Sequence, residues 1–353
     1  MTTSCRRSAI ALVSAVTLTG PLLLAQPTLP PPPAGVRSFQ KFGQEFVVIG
    51  NAGNRAPNSM EASFPENRRG AVGYEYGLAR TELTVAQYAE FLAAYRPFYA
   101  GQYDGNILGF WVDATPPTSS GGAWDIRPVP GTERFPADMT WRMAATYCNW
   151  LHNDKAPTAA AFASGAYDIS TFTYNPNGTS NDQLARSPGA RYWIPTVDEW
   201  VKAGYYDPNR YGPGQEGYWA FPNQTNSLLR PGLPGTGAET ANGVQDASLA
   251  PSQIDVATYP AAGVYGVFDI SGGLSELSET ALPYFDPSPS NRAVLGSQTN
   301  GSLLDDLLDR NTFLAQVTTP GLGLRLATIP APHIAPLAFL SFGILTLNGR
   351  RRR

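Results

Sequence analysis

Three segments of the chain carry apolar residues at the spacing of an amphipathic helix. The first begins at Thr84, which forms a capping box with Gln87 and so satisfies the first free N–H groups of a helix. The apolar positions that follow lie three and four residues apart, on one face: Val85, Tyr88, Leu92 and Tyr95. Similar starts at Thr140 and Thr196 predict a second and a third helix. We therefore predict three short helices, of which the first ends at Tyr95.

Strand patterns are few and short. The apolar run from Glu45 to Ile49 and the alternating stretch from Tyr74 to Leu78 each predict a strand. The chain has 35 glycines and 32 prolines among 353 residues, which excludes a helical bundle or a coiled coil. Its apolar content of 42% excludes a disordered chain. The patterns therefore predict an α+β fold that is rich in loops, with few short helices and strands and without an internal repeat.

Both ends of the chain have the composition of targeting segments. Residues 1–26 combine Arg6 and Arg7 with an apolar run, which is typical of a secretory signal peptide, and a Pro-rich linker follows over 27–40. Residues 329–353 contain an apolar stretch of 14 residues, from Ile334 to Leu347, and end in four arginines. As a helix this stretch would span about 21 Å, less than the bilayer core of about 30 Å. A membrane anchor is the alternative interpretation at each end.

The C-terminal pattern resembles the PEP-CTERM sorting signals of Gram-negative bacteria, although Ala331 stands where the signal has its Glu. This resemblance implies an exported protein, located in the cell envelope or outside the cell, with transient membrane association through the C-terminal segment. It also implies that a processing enzyme removes the tail after export.

The charge of the predicted mature part differs from that of the whole chain. The formal net charge of the chain is −3, but all charged residues of the two ends are arginines. Residues 27–330 therefore carry 19 basic and 28 acidic residues, a net charge of −9. An acidic domain is a poor partner for nucleic acid, so we expect a cation, a sugar or another neutral ligand.

The sequence offers few residues for catalysis. Two cysteines and two histidines in the whole chain exclude a disulfide scaffold and a structural zinc site. Cys148 lies on the apolar face of the second predicted helix, where we expect a buried and unreactive thiol. His152 follows at the end of that helix, and the capping box of Thr196 already accounts for Glu199. No combination of these residues predicts a catalytic triad.

Five blocks in the order of the chain resemble the formylglycine-generating enzyme (sulfatase-modifying factor) family. The segment RYWIPTVDEW, for example, resembles the family's RYRLPTEAEW, and GLGLRLA stands where the family has GFRxA. The blocks extend over these ranges: 74–92, 135–151, 191–200, 256–270 and 321–327. The resemblance implies one domain over residues 41–328, with a C-type-lectin-like core, little regular structure and bound calcium.

The chain departs from this family at the residues that carry its chemistry. The enzymes oxidise a substrate cysteine with two cysteines near their C-terminal end, whereas this chain has no cysteine after Cys148. Because neither serine nor leucine can replace a thiolate as a metal-binding and redox group, we expect no copper site.

Calcium is implied by the resemblance at two places. The family's calcium motif GNVWEW matches this chain around Gly273, Leu274 and Glu276, with a glycine in place of the asparagine. Asn242 matches the start of the other calcium loop, which Asp255 could complete. Calcium binds six to eight oxygens, so one carboxylate alone would bind it weakly. The alternative for Glu276 is a solvated or salt-bridged carboxylate.

Two functions from different classes follow. The first is a non-catalytic binding module of the cell envelope or the extracellular space, with an extracellular polysaccharide or a surface protein as partner. The alternative is a metal-dependent enzyme of altered chemistry, with its metal held by carboxylates around Glu276 or Asp255.

Overall fold

The computed structural model describes residues 29–62, 68–101, 104–241, 253–281, 291–298 and 313–330, without the side chains of Phe313 and Leu314. These ranges contain the following helices: α1 Val85–Tyr95, α2 Gly105–Leu108, α3 Trp141–His152, α4 Ala159–Ala163 and α5 Val197–Tyr205. They contain these strands: β1 Ser38–Lys41, β2 Gln44–Ile49, β3 Tyr76–Ala79, β4 Val112–Thr115, β5 Asp125–Pro128, β6 Asp138–Met139, β7 Tyr192–Trp193, β8 Tyr206–Asp207, β9 Gly217–Tyr218, β10 Glu276–Leu277, β11 Asn291–Leu295, β12 Phe313–Gln316, β13 Leu322–Gly323 and β14 Ala327–Thr328. No helix within these ranges is long and apolar enough to cross a bilayer.

The three predicted helix starts are confirmed. Thr84, Thr140 and Thr196 are the N-caps of α1, α3 and α5, and the hydroxyl of each accepts a hydrogen bond from the backbone three residues on. The capping boxes of α1 and α5 are both complete. Helix α5 ends at Tyr205. Its Lys202 is buried and donates a hydrogen bond to the backbone oxygen of Asn51.

The first five-stranded sheet has the order β1-β2-β3-β14-β7 and is antiparallel throughout. Strand β1 includes residues 38–40, which the sequence assigned to the Pro-rich linker. The strand forms because Phe39 stacks on Phe46 of β2, with ring centroids 5.4 Å apart. Strand β3 begins two residues later than predicted, at Tyr76, because Tyr76 pairs with Ile49, the last residue of β2.

The second five-stranded sheet has the order β12-β11-β10-β13-β6, with β10 and β13 parallel and the other pairs antiparallel. Strand β13 belongs to this sheet and β14 to the first, so Leu324, Arg325 and Leu326 form the crossing between the two. All three are fully or almost fully buried. The crossing places one arginine in the centre of the molecule.

The predicted fold class is confirmed. Within the described ranges the helices have 12 residues or fewer and the strands six or fewer, and long loops connect them. Large aromatic side chains such as Trp141 and Trp200 fill the core beneath these loops. The molecule is thus an α+β protein in which loops form much of the surface.

Candidate functional site

Arg325 is the central charged group of the molecule. Its Nη2 donates to Glu276 Oε1 at 2.6 Å, and its Nε lies 3.0 and 3.1 Å from the two carboxylate oxygens. Arg325 also donates to the backbone oxygens of Ala79 and Phe268, and Trp200 Nε1 donates to Glu276 Oε2 at 2.7 Å. Both charged side chains are buried, with 0% and 2% exposed. The pair therefore joins the two sheets to the loop that precedes β10.

A second carboxyl group lies beside this pair without a charged partner of its own. Glu82 is fully buried between Gly273 and Gly323, where Cβ atoms would collide with its carboxyl group. Its Oε1 accepts a hydrogen bond from Leu274 N at 2.9 Å, while its Oε2 has no hydrogen-bond partner. Burial, and the negative charge of Glu276 nearby, raise the pKa of Glu82 well above its usual value. The surroundings of Glu82 therefore favour the protonated form of its carboxyl group.

The structure places the predicted calcium ligands in different surroundings. Asn242 lies outside the described residues. Asp255 forms a half-exposed ion pair with Arg134 at 3.4 Å, whereas Gly273 and Leu274 line the Glu82 carboxyl group.

Both oxygens of Glu276 accept hydrogen bonds from Arg325 or Trp200, which corresponds to the salt-bridged alternative for this residue. Within the described ranges, no three His, Cys, Asp or Glu side chains form a group that could hold a metal ion. The calcium site stays a prediction, which would need Asn242 and further oxygens.

An open groove of about 640 Å³ lies on the surface near this cluster. Two loops form its walls, residues 223–239 and 258–262. The first loop is closed by paired hydrogen bonds: Glu239 N donates to Arg230 O at 2.8 Å, and Arg230 N donates to Glu239 Oε2 at 3.0 Å. The polar side chains along the groove are Asn223, Arg230, Glu239, Thr258 and Tyr259.

A small chamber lies next to the groove and has Asp269 in its lining. It shares Asn223, Glu239 and Tyr259 with the groove, and Asp269 and Ser271 complete its polar lining. Its volume of about 10 Å³ corresponds to one water-sized group. The chamber and the groove therefore share part of their walls.

Asp269 has an unusual backbone and an unusual pKa. Its φ of +56° lies in the left-handed region, and its Oδ2 accepts a hydrogen bond from Ala257 N at 2.5 Å. Burial raises the pKa of Asp269 from its ordinary 3.8 to about 6, although the Ala257 N–H and Arg325 act in the opposite direction.

Replacing Asp269 by Asn removes a pH dependence of stability that the wild type shows between pH 4 and 6. A carboxyl group whose pKa is higher in the folded state stabilises the fold while it is protonated. This contribution is complete below pH 4 and is lost as the pH rises through about 6, which corresponds to about 2–3 kcal/mol of unfolding free energy. Urea denaturation of both proteins at pH 4, 5, 6 and 7 measures it. If the unfolding free energy changes equally with pH in the two proteins, the pKa of Asp269 is not raised.

The residues considered for catalysis have structural roles. Cys148 is a buried free thiol, and burial raises its pKa well above the usual value, as expected for an unreactive cysteine. His152 Nδ1 accepts a hydrogen bond from Arg191 N at 3.2 Å, and burial and the charge of Arg191 lower its pKa. Glu199 completes the α5 capping box and also accepts hydrogen bonds from Trp193 and Tyr74.

Sequence reasoning missed Glu82, Asp269 and Arg325. One signal was available for Arg325, because an arginine inside the apolar run GLGLRLA is expected to be buried together with a partner of opposite charge. Nothing local distinguishes Glu82 or Asp269 from a surface carboxylate. The groove could not be found either, because its two walls are separated along the chain.

Comparisons with known proteins give similarity only at the level of solved structures. No protein-family model and no curated protein sequence matches the chain. Treponema denticola variable protein 1 has a TM-score of 0.48 and 16% identity, with 84% of this chain and 99% of that chain covered. CarF has a TM-score of 0.45 and 15% identity over 81% and 98% of the two chains. PvdO from Pseudomonas aeruginosa has a TM-score of 0.45 and 14% identity over 84% and 98%. The function of this chain is therefore inferred from its own residues.

Proposed function

We propose that the protein is an exported binding module of the cell envelope, with a sulfatase-modifying-factor-like domain that holds an extracellular polysaccharide in the surface groove. The observation that carries this proposal is the groove itself. Its volume of about 640 Å³ lies within the range of small-molecule sites, and it is open to the surface as a chain-like ligand requires.

The lining of the groove suits sugar hydroxyl groups. A hydroxyl both donates and accepts hydrogen bonds, and the groove offers acceptors on Glu239, donors on Arg230 and both on Asn223 and Thr258. The ion pair between Arg230 and Glu239, at 3.4 Å, holds two of these groups in place before a ligand arrives.

Export is the second part of the proposal and rests on the two ends of the chain. The signal peptide predicted for residues 1–26 lies outside the described residues. The sorting signal predicted for residues 329–353 has only Ile329 and Pro330 within them. A polysaccharide outside the cell is a partner that an exported acidic domain can meet. Intact-mass analysis of the protein from a native envelope fraction tests this part, because cleavage near Ala25 and removal of the arginine tail each change the mass.

Replacing Arg230 by Ala weakens polysaccharide binding by about fivefold to tenfold, since it removes the groove's charged donor and releases Glu239. The exported protein is screened against a polysaccharide array, and the best ligand is titrated by calorimetry. Arg230 is 72% exposed, so the variant keeps its stability. Arg127→Ala is the matched control, because Arg127 forms a similarly exposed pair with Asp125 outside the groove.

Three results would contradict the proposal. Saturable binding that Arg230→Ala leaves unchanged would place the ligand elsewhere. Binding to a surface protein alone would assign the other partner class. Iron or copper found by metal analysis, together with oxidase turnover, would identify the protein as an enzyme of altered chemistry.

The predicted calcium site is tested separately, by thermal unfolding of the protein with and without added calcium. If the site is present, calcium should raise the melting temperature.

A further inference from the structure

The chamber beside the groove differs from the groove in the hydrogen-bonding groups that remain available in its lining. The hydroxyl of Tyr259 already donates to Gly232 O at 2.8 Å, and the hydroxyl of Ser271 lies 3.0 Å from that of Thr240. The hydroxyl groups of the lining are therefore engaged with the protein.

Acceptor atoms, by contrast, are in excess around the chamber. Asn223 Oδ1 is buried and accepts no hydrogen bond from the described residues. Glu239 Oε1 accepts a long hydrogen bond of 3.5 Å from Asn223 Nδ2. Asp269 Oδ2 accepts a hydrogen bond from Ala257 N. An unsatisfied buried acceptor such as Asn223 Oδ1 is costly, so the chamber favours a group that brings hydrogen-bond donors.

The charges around the chamber also favour a positively charged donor group. Two carboxyl groups, those of Glu239 and Asp269, line it, and one exposed cation, Arg230, lies at its rim. The positive charge of Arg325, which acts on Asp269, is already paired with Glu276. An anionic group would meet net negative charge here, whereas a cation would be attracted.

We propose that the chamber binds a primary ammonium group, and that the polysaccharide in the groove therefore contains sugars with a free amino group. An ammonium group has three donors, one positive charge and about the size of a water molecule, which is what the volume of about 10 Å³ admits. An acetamido group or a carboxylate is too large for it. This inference rests on the proposed function, because it assigns the ligand class of the same groove.

The test compares two probes of equal length, a glucosamine hexamer and its N-acetylated counterpart, titrated into the exported protein at 0.15 M salt, where nonspecific charge attraction is screened over about 8 Å. We expect the glucosamine hexamer to bind at least tenfold more tightly. Asp269→Asn should remove most of this preference, and Glu239→Gln should reduce it, each by about tenfold, the effect of losing one charge-assisted hydrogen bond. Asn tolerates the left-handed backbone at position 269, so this variant folds.

Asp125→Asn is the matched control, since it removes the same charge from an exposed site outside the chamber. Equal binding of both hexamers, weakened by Arg230→Ala, would overturn the ammonium site and leave the polysaccharide function intact. Binding of monomeric glucosamine that depends on Asp269, with no binding of either hexamer, would support the ammonium site and overturn the polysaccharide function. Absence of binding by all three probes would overturn the ammonium site. The same loss in Asp125→Asn as in Asp269→Asn would overturn it too, because the attraction would then be nonspecific.

Discussion

Replacing Arg325 by Leu lowers the free energy of unfolding by about 3–5 kcal/mol. The substitution leaves the Glu276 carboxylate in the protein interior with Trp200 Nε1 as its remaining side-chain donor. It also removes the positive charge that moderates Glu82 and Asp269. The loss therefore exceeds that of an ordinary hydrogen bond, because an unpaired buried charge retains its full desolvation cost.

Urea denaturation at pH 7 measures this loss. Arg37→Leu is the control, because Arg37 also forms an ion pair, with Glu75, but both side chains are more than a third exposed. The control should change the unfolding free energy by less than about 1 kcal/mol. The double variant Arg325→Leu, Glu276→Leu should regain part of the loss, since it removes both charges together. Equal effects of Arg325→Leu and Arg37→Leu would show that the central pair does not hold the sheets and the β10 loop together.

Replacing Gly273 by Ala destabilises the fold by about 2–5 kcal/mol, in two separable parts. The φ of +77° costs any residue with a Cβ about 1–2 kcal/mol. The added Cβ would also overlap Glu82 Oε2, and Gly323 packs closely against the other oxygen of the same buried carboxyl group. Such overpacking of a buried site adds about 1–3 kcal/mol.

Gly43 provides a control that isolates the first part. Its φ of +76° is nearly the same, but nothing lies within 4 Å of the position of its Cβ. The difference between Gly273→Ala and Gly43→Ala in urea denaturation therefore measures the steric part alone. Shortening the neighbour, in Gly273→Ala with Glu82→Ser, should recover part of that difference. If Gly273→Ala and Gly43→Ala lower the unfolding free energy equally, the Glu82 carboxyl group does not pack closely against Gly273.

Local patterns predicted those features of the molecule that depend on neighbours in the chain. A Thr three residues before a Gln or Glu predicted two complete capping boxes, and the apolar spacing predicted the buried face of α1. Hydrogen bonds over three residues and a period of 3.6 are properties of the local sequence, so they are readable from it. The α+β class followed from the same patterns together with the many glycines and prolines.

The buried charged groups around Arg325 depend on contacts between distant parts of the chain, and the sequence did not reveal these contacts. Glu276 was identified as a carboxylate of interest, but its partner Arg325 lies 49 residues further on. Glu82 meets Leu274 across 192 residues of chain. The sequence does not show whether a carboxyl group is solvated, paired or protonated, because burial, nearby charges and hydrogen bonds in the folded structure assign its state.

The sequence by itself determined the helix starts, the fold class, the acidic balance of residues 27–330 and the absence of cysteines after Cys148. The tertiary structure decided which charges are neutralised and where an open groove remains. The physical reason is that chain connectivity controls helix caps and periodic faces, whereas solvent exclusion controls the state of a carboxyl group. Solvent exclusion arises only when the two sheets, the crossing at Arg325 and the loops around Asp269 come together.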